Sequence, residues 1–361
     1  MKQKRVIELI IKSIVFLVLA FLLTLGVGYI YVPWDHEESA QSKSYYDAAP
    51  DSVDVLIVGS STVRNGISPN ELWHNYGISA HTRGNSRQPA EAALFNLKEG
   101  LKYQKPKVVI LGVTQLMVAY DYVENEPFLR KTLDYKKLSP LKIKTASEYV
   151  ERNKDQDLLS YIFPVIRYHS RWNTMEYEDL RQALSFEPDF RRGQYRVLEI
   201  RDHEVFDLDD TDHSLVAYDP NSYKYYKEAV ETAQAAGAKV LIVSMPYIKW
   251  SYGQYEAVKA FADEVGADYL DFSTDELVDA IDLDWTVDMY DSKHLNLEGC
   301  RKSSKFIGQY LIDHYGVPQW SCSEEVAAKY DADYELYKAE YDKFMKEVYL
   351  VHEEPETEEE K

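Results

Sequence analysis

The sequence predicts an α/β protein, a three-layer α/β/α sandwich built around a parallel β-sheet. Three short apolar runs rich in β-branched residues carry this prediction, at residues 53–58, 107–112 and 239–244. Continuous apolar runs are typical of parallel strands buried on both faces. Helix-like stretches precede the second and third runs, and this alternation favours a parallel sheet covered by helices. Further strands are expected at residues 79–82 and 268–270, and helices at 91–101, 223–236 and 297–315.

The composition is that of a folded protein that does not bind nucleic acid. The 361 residues are 45% hydrophobic and 13% aromatic, enough apolar surface to offset the entropy of folding. Acidic residues outnumber basic ones 61 to 41, and the net charge of -20 argues against a nucleic-acid-binding surface. Cys300 and Cys322 make at most one disulfide and exclude a thiolate zinc site. The histidines lack zinc-protease spacing, so we expect no metal and no cofactor.

Residues 13–32 form an uncharged apolar segment that is long enough to cross a membrane. At the helical rise they span roughly 30 Å, the thickness of a hydrocarbon core. A cleavable signal peptide is the alternative, but its apolar region is shorter and only residues 26–28 resemble a cleavage site. Basic residues precede the segment and acidic residues follow it. Because basic flanks stay inside, we expect an uncleaved single-pass anchor in the cell membrane, with residues 1–12 cytoplasmic and everything after Pro33 outside the cell.

After the anchor the chain divides into further expected regions. Residues 33–52 are polar and predict a stalk, and residues 53–320 contain the sheet domain. Within this domain about residues 117–220 lack strand patterns and are too long for a crossover, which predicts a helical insertion. Residues 321–350 predict an amphipathic helix, and residues 351–361 a disordered acidic tail. The helix packs on its own domain or, alternatively, forms a coiled coil through Ala327, Tyr330, Tyr334, Tyr337, Tyr341, Phe344 and Val348.

The first predicted strand leads into the segment from Gly59 to Gly66, which contains two serines. The carboxyl end of a parallel strand is where open α/β sheets bind ligands. The segment lacks the lysine of a phosphate-binding loop. It also lacks the second glycine of the nucleophile elbow of α/β-hydrolases, because Val63 occupies that position. In isolation such serines are also typical of a helix cap. Near the other end of the chain, Asp291 and His294 have the spacing of an orienting acid and a base, which together make a serine hydroxyl nucleophilic.

Together these blocks resemble the SGNH (GDSL-like) hydrolase family. Within it they are similar to the membrane-anchored extracytoplasmic branch that includes the teichoic-acid D-alanyl transfer and alginate O-acetylation proteins. The resemblance covers about residues 53–115 and 238–315. It implies a flavodoxin-like sandwich in which Ser61 is the nucleophile, His294 the base and Asp291 the acid that orients the base.

The same resemblance implies an oxyanion hole. Backbone N–H groups of Ser61 and Gly84 stand at the positions of two of the donors. A third block of the family supplies an asparagine side chain, and residues 112–115 of this chain contain none. The loss of one such donor typically lowers the rate ~100- to 1,000-fold. The candidates to replace it are Thr114, Gln115 and Asn85.

Two further clusters are candidates for binding sites. The first combines cationic and aromatic side chains that suit a polar or anionic substrate pocket, and comprises Arg64, His169, Arg171 and Trp172. For the last three of these, a structural cluster inside the insertion is the alternative. The second is an acidic stretch without the glycine and terminal glutamate of a calcium loop, which favours a solvated loop instead. It contains Asp207, Asp209, Asp212 and His213.

The family resemblance implies a membrane-tethered serine esterase or O-acyltransferase that acts on acyl groups of cell-wall or surface glycans or polyols. It also implies a partner, a membrane-bound O-acyltransferase that exports the acyl group. A histidine base predicts that activity rises with pH over about pH 6 to 7 for an ordinary histidine, and at higher pH if Asp291 stabilises the imidazolium. The alternative is a non-catalytic surface protein of the same fold that binds a glycan or a membrane partner, which the missing asparagine favours.

Overall fold

The computed structural model describes residues 2–34, 37–185, 189–201, 203 and 216–353. The chain forms two compact units. We call them the sheet unit, residues 40–132 and 188–361, and the helical unit, residues 1–39 and 133–187. The predicted insertion is therefore divided between the two units.

Five parallel strands form the centre of the sheet unit. They are β1 Val55–Gly59, β2 Ala80–Gly84, β3 Val108–Gly112, β4 Lys239–Ser244 and β5 Asp268–Asp271. Their order is β2-β1-β3-β4-β5. All five lie within two residues of their expected positions, which confirms the predicted α/β class and parallel sheet. In this order the direction in which strands are added reverses between β1 and β3, so a crevice opens at the carboxyl ends of these two strands.

The helices and one short hairpin complete the chain. In chain order the α-helices are α1 Lys2–Tyr31, α2 Glu37–Asp47, α3 Ser61–Gly66, α4 Pro69–Tyr76, α5 Ala90–Gly100, α6 Glu126–Leu133, α7 Pro140–Arg152, α8 Leu158–Ile162, α9 Pro164–Tyr168, α10 Tyr177–Leu184, α11 Pro220–Ala235, α12 Tyr252–Val265, α13 Asp275–Ala280, α14 Leu297–Tyr315, α15 Glu324–Phe344 and α16 Leu350–Glu353. A 3-10 helix covers His169–Asn173, and a π-helix covers Met345–Tyr349. The antiparallel hairpin consists of β6 Met289–Asp291 and β7 His294–Leu295.

Two hydrophobic cores cover the two faces of the sheet. Successive strand residues point to opposite faces, so Leu56 and Val58 of β1 join one core and Val55 and Ile57 join the other. Helices α5, α11 and α12 complete the first core, and α3, α4, α13 and α14 complete the second. Burial on both faces explains why the strands are continuous apolar runs in the sequence.

The segment expected to be a polar stalk contains a helix that is partly buried. Gln41 of α2 donates through Nε2 to the Gly84 carbonyl oxygen at 2.8 Å, and Ser44 Oγ lies 2.9 Å from His81 Nε2. Residues 40–47 of the expected stalk are therefore helical and packed within the sheet unit. The packing surface of this helix is polar, so it leaves no apolar periodicity in the sequence.

The aromatic stripe of α15 packs within the sheet unit. The Tyr330 ring stacks on Trp73 of α4 with 4.6 Å between centroids, and the Tyr334 ring stacks on His74 at 3.8 Å. Tyr337, one turn further along, is buried. The stripe thus has a partner surface on its own unit.

In the helical unit, α1 is the one helix among the described residues that is long and apolar enough to cross a membrane. The connection between α8 and α9 packs along it. The Phe163 ring meets the Phe21 ring edge-on at 5.5 Å, and Pro164 lies so close to Gly28 that a Cβ there would be 3.2 Å from its ring. A possible single-pass anchor is therefore part of a packed helical cluster.

Two sequence predictions fall on residues outside the described part of the chain. They concern most of the acidic tail, residues 354–361, and the calcium-like stretch with Asp207, Asp209, Asp212 and His213. Among the described residues, both cysteines are free thiols. The described residues also contain no group of three or more His, Cys, Asp or Glu side chains that could hold a metal ion.

Candidate active site

Ser61 and His294 are brought together by the packing of α14 against α3. Ser61 is the first residue of α3, directly after β1, and His294 lies in the hairpin that precedes α14. Ser303 Oγ of α14 donates to the carbonyl oxygen of Gly66 at the end of α3, at 2.6 Å. The next residue of α14 accepts a hydrogen bond from the Ser68 N–H at 2.8 Å. These buried bonds fix the hairpin side of the site relative to the β1 side.

Three side chains form a continuous hydrogen-bonded chain at the carboxyl end of the sheet. Ser61 Oγ lies 2.8 Å from His294 Nε2. On the other side of the imidazole, His294 Nδ1 lies 2.9 Å from each carboxylate oxygen of Asp291. An ionised carboxylate only accepts, so Nδ1 carries the proton and Nε2 offers its lone pair to the Ser61 hydroxyl. The arrangement can transfer the hydroxyl proton to the imidazole.

The carboxylate of Asp291 is held in its ionised form. Partial burial raises the pKa of Asp291, but the hydrogen bond from His294, its charge and the backbone N–H groups of Lys293 and His294 outweigh burial. The pKa of Asp291 therefore lies below its ordinary value. Both N–H groups donate to Oδ1 at 3.0 Å. The same oxygen thus closes the turn of the hairpin and orients the imidazole.

This electrostatic arrangement predicts the shape of the pH profile. A histidine acts as a base only when its imidazole is neutral, so a histidine base predicts that ester cleavage rises with pH between about pH 5 and 8. Asp291 should add no second step there, because its lowered pKa keeps the carboxylate charged throughout. Initial rates measured between about pH 5 and 8 check this prediction, and a flat profile over that range would contradict a histidine base.

Buried contacts that the sequence analysis missed support the hairpin. Asp288 accepts from Lys302 Nζ and from the Tyr349 hydroxyl, both at 2.8 Å. Asn296 donates through Nδ2 to the Val287 carbonyl oxygen at 2.6 Å, and its Oδ1 caps the first turn of α14. The C-terminal segment therefore contributes to the position of the catalytic candidates. Asparagine before a helix is a known capping signal, but no sequence pattern signals the bonds of Asp288 to Lys302 and Tyr349, since they join different elements.

The loop after β4 contacts the turn between Asp291 and His294. Ile248 N–H donates to the Ser292 carbonyl oxygen at 2.8 Å. The same loop forms one wall of a cavity of about 360 Å³. The cavity is lined by Trp250, Ser251, Tyr252, Tyr255, Asp271, Ser273, Thr274 and Asp275. Aromatic rings, hydroxyls and carboxylates without a cationic side chain suit a polyol or a cation better than an anion.

α3 packs directly on the carboxyl ends of β1 and β3, and this close packing requires a glycine at the end of each strand. A Cβ on Gly59 would lie 2.5 Å from Val63, and a Cβ on Gly112 would lie 2.6 Å from it. As the first residue of α3, Ser61 has a backbone N–H without a partner inside the helix. This N–H can therefore donate to a group outside the helix, close to the Ser61 hydroxyl.

Gly84 ends β2 opposite Gly59 in the parallel register. A Cβ on Gly84 would lie 2.5 Å from the Gly59 carbonyl oxygen, a backbone atom that cannot move without disturbing the strand pair. We predict that Gly84→Ala lowers the free energy of unfolding by about 1–3 kcal/mol through overpacking. Denaturant unfolding measures the change. Gly26→Ala is the control, because nothing lies within 4 Å of its added Cβ; equal midpoints for the two variants would contradict the close approach.

The three candidates for the third oxyanion donor differ in what they already bind. Thr114 Oγ1 lies 3.0 Å from Thr62 Oγ1, beside the Ser61 segment. Asn85 Nδ2 donates to the Thr132 hydroxyl, so this amide already has a hydrogen-bond partner on α6. The Gln115 side-chain amide makes no hydrogen bond with a described residue and is half-buried. Gln115 is thus the candidate whose donor group is available.

The residues of the predicted polar pocket are divided between the two units. Arg64 is buried and donates through Nε to the Gly193 carbonyl oxygen at 3.2 Å, which gives it a structural contact in the sheet unit. His169, Arg171 and Trp172 belong to the helical unit. There Arg171 donates to the Tyr31 carbonyl oxygen at 2.7 Å. Arg171 therefore fits the structural alternative, whereas His169 and Trp172 are exposed and Arg64 is buried.

We compared the chain with known proteins. No model of a known protein family matches the sequence, and no curated protein sequence matches it.

Proposed function

We propose that this protein is a membrane-tethered serine esterase or O-acyltransferase that works through a covalent acyl-enzyme. The observation that carries the proposal is the hydrogen-bonded chain itself. Ser61 Oγ lies 2.8 Å from His294 Nε2, and His294 Nδ1 lies 2.9 Å from Asp291. Both Ser61 and His294 are partly exposed, with 15% of the His294 side chain accessible, so a substrate can reach them.

In the first half-reaction, Ser61 Oγ forms a bond to the carbonyl carbon of an ester as its proton passes to His294 Nε2. The carbonyl oxygen becomes an oxyanion, and Asp291 stabilises the imidazolium. When the tetrahedral intermediate collapses, the bond to the leaving alcohol breaks and His294 returns the proton to that alcohol. The product is an acyl group esterified to Ser61.

In the second half-reaction, His294 takes a proton from water or from a glycan or polyol hydroxyl. The resulting nucleophile attacks the acyl carbon, and the bond to Ser61 Oγ breaks as the proton returns to Ser61. Exclusion of water favours transfer over hydrolysis.

For the oxyanion we propose the backbone N–H groups of Ser61 and Gly84 with a side-chain donor from the turn after β3. Gln115 is our choice for that donor, because Thr114 and Asn85 already have partners. Such donors stabilise the transition state more than the ground state.

The proposal for Gln115 makes a specific prediction. Gln115→Ala should lower kcat for ester cleavage by ~100- to 1,000-fold while Ser61 still reacts with an active-site probe. Asn85→Ala is the comparison, since its amide is bound to Thr132 and its loss should affect stability more than kcat. A Gln115→Ala variant with wild-type kcat would remove Gln115 from the oxyanion hole.

We further propose membership of the SGNH family. The support is the strand order, which places Ser61 and Thr114 after β1 and β3 on either side of the crevice. The chain departs from the family pattern at Ser60, where the family has aspartate, and in the missing third-block asparagine.

The proposed location follows from α1 and its flanks. Basic residues before the apolar segment favour a cytoplasmic N-terminus, with the sheet unit outside the cell. In that place the enzyme would receive its acyl group from a membrane-bound O-acyltransferase and pass it to a cell-wall or surface glycan.

The test compares cells that carry the wild type, Ser61→Ala or Ser60→Ala, by mass spectrometry of their wall and surface glycans. Ser60 is a matched control because it is buried, adjacent and makes no side-chain cap bond to α3. We expect Ser61→Ala to change glycan acylation and Ser60→Ala to leave it unchanged. Identical glycans from wild type and Ser61→Ala would count against the proposal.

A further inference from the structure

Helix α10 of the helical unit exposes its apolar side. Tyr177, Leu180 and Leu184 recur at spacings of three and four, so they lie on one face of the helix. They are 79%, 38% and 55% exposed. An amphipathic helix on a globular protein normally buries this face. Trp172, in the neighbouring 3-10 helix, is 71% exposed. We call Trp172, Tyr177, Leu180 and Leu184 the exposed apolar surface.

The contacts of α10 place this surface at the end of the apolar segment of α1. Ala183, on the buried side of α10, belongs to a small core with Val32 and Trp34. Arg171, next to Trp172, donates to the Tyr31 carbonyl oxygen at 2.7 Å and pairs with Asp179 of α10 at 2.6 Å. The exposed apolar surface is therefore held at the level of residues 31–34, where a membrane-spanning α1 would leave the hydrocarbon.

The exposed side chains of the helices packed beside α1 change in type along its length. The Phe163 ring contacts Phe21, ten residues or roughly 15 Å before Tyr31 along the helix. The exposed large hydrophobic residues of the helices on either side of Phe163 are aliphatic, namely Leu159 and Ile166, and Arg167 of α9 is exposed as well. At the level of Tyr31 they include tryptophan and tyrosine. Aliphatic side chains at depth and aromatic ones at the boundary are the distribution that a bilayer selects.

The net charge of the chain differs between the two units. The helical unit, residues 1–39 and 133–187, contains thirteen Lys and Arg and thirteen Asp and Glu. It is formally neutral, so the entire net charge of -20 belongs to the sheet unit. Without residues 1–12, which would lie on the other side of the bilayer, the helical unit has nine basic and twelve acidic residues, an acidic excess far smaller than that of the sheet unit.

We propose that the exposed apolar surface lies in the interfacial layer of the bilayer, in the leaflet from which the C-terminal end of α1 emerges. The residues beside α1 would then form an in-plane second contact with the lipid, in addition to the spanning helix. The proposal requires α1 to cross a bilayer but not the chemistry of Ser61, so it stands or falls independently of the esterase assignment.

The test uses the full chain in nanodiscs that contain phosphatidylcholine and phosphatidylglycerol only. Single cysteines at Tyr177→Cys and Leu184→Cys, in a Cys322→Ser background, carry a nitroxide label; Cys300 is fully buried. Collisions with oxygen, which partitions into lipid, are compared with collisions with a water-soluble nickel complex. The matched control is Glu178→Cys, an exposed position on the polar side of the same helix.

We expect the labels at 177 and 184 to lose nickel collisions and gain oxygen collisions relative to the label at 178. Equal nickel access at the three sites would overturn the proposal. The same result is expected if a protein partner, which the nanodiscs do not contain, is what covers the surface instead of lipid. A second measurement needs no label. Brominated lipids should quench part of the tryptophan fluorescence, and Trp172→Phe should lose part of that quenching; unchanged quenching would also contradict the proposal.

Discussion

Replacing His294 with alanine should lower the rate of ester cleavage by about 10⁴- to 10⁶-fold. His294 Nε2, which lies 2.8 Å from Ser61 Oγ, is the atom that accepts the hydroxyl proton. Without the imidazole, the Ser61 hydroxyl has no base within hydrogen-bond distance among the described residues. A neutral alcohol is a weak nucleophile at neutral pH. The measurement is kcat/KM on a small activated ester.

A matched control separates this effect from general damage to the protein. His314 lies near the end of α14, is exposed and donates through Nδ1 to the Tyr310 carbonyl oxygen of its own helix at 3.2 Å. His314→Ala should therefore keep wild-type activity. A His294→Ala variant that folds and retains wild-type kcat/KM would remove His294 from the reaction.

Replacing Asp291 with asparagine should lower the rate by about 10⁴-fold. The substitution keeps the shape of the side chain but removes its charge. It also allows the amide to donate to Nδ1, which turns the imidazole to the tautomer that cannot accept the Ser61 proton. The lowered pKa of Asp291 shows that the site favours the charged carboxylate, which the substitution removes. The measurement is again kcat/KM, followed over pH.

The control for Asp291→Asn is Asp279→Asn, an exposed carboxylate on α13. This variant should behave as wild type. If Asp291→Asn were also active within a few-fold of wild type, Asp291 would be a structural residue of the hairpin turn. There it accepts hydrogen bonds from the N–H groups of Lys293 and His294.

The sequence was informative about the sheet because burial on both faces makes its strands continuous apolar runs. β1, β3 and β4 are visible for this reason. Helix α2 was not visible, because Gln41 and Ser44 pack through polar bonds that have no periodic signature. The hairpin of β6 and β7 was missed because its strands are only three and two residues long.

The candidate site was predictable only in part. The spacing of Asp291 and His294 and the position of Ser61 after a strand are local features, so the sequence contains them. The bonds that hold these residues in contact are not local. Ser303 to Gly66 and Tyr349 to Asp288 join distant parts of the chain, and only the folded structure reveals them.

The central claim is that His294 activates the Ser61 hydroxyl as a nucleophile. Mass spectrometry of the full chain after treatment with a fluorophosphonate, followed by peptide mapping, tests it most directly. The account predicts a single adduct on the peptide with Ser61 in the wild type and in Ser60→Ala, and no adduct in Ser61→Ala. An unmodified wild-type protein, or an adduct that persists in Ser61→Ala, would contradict it.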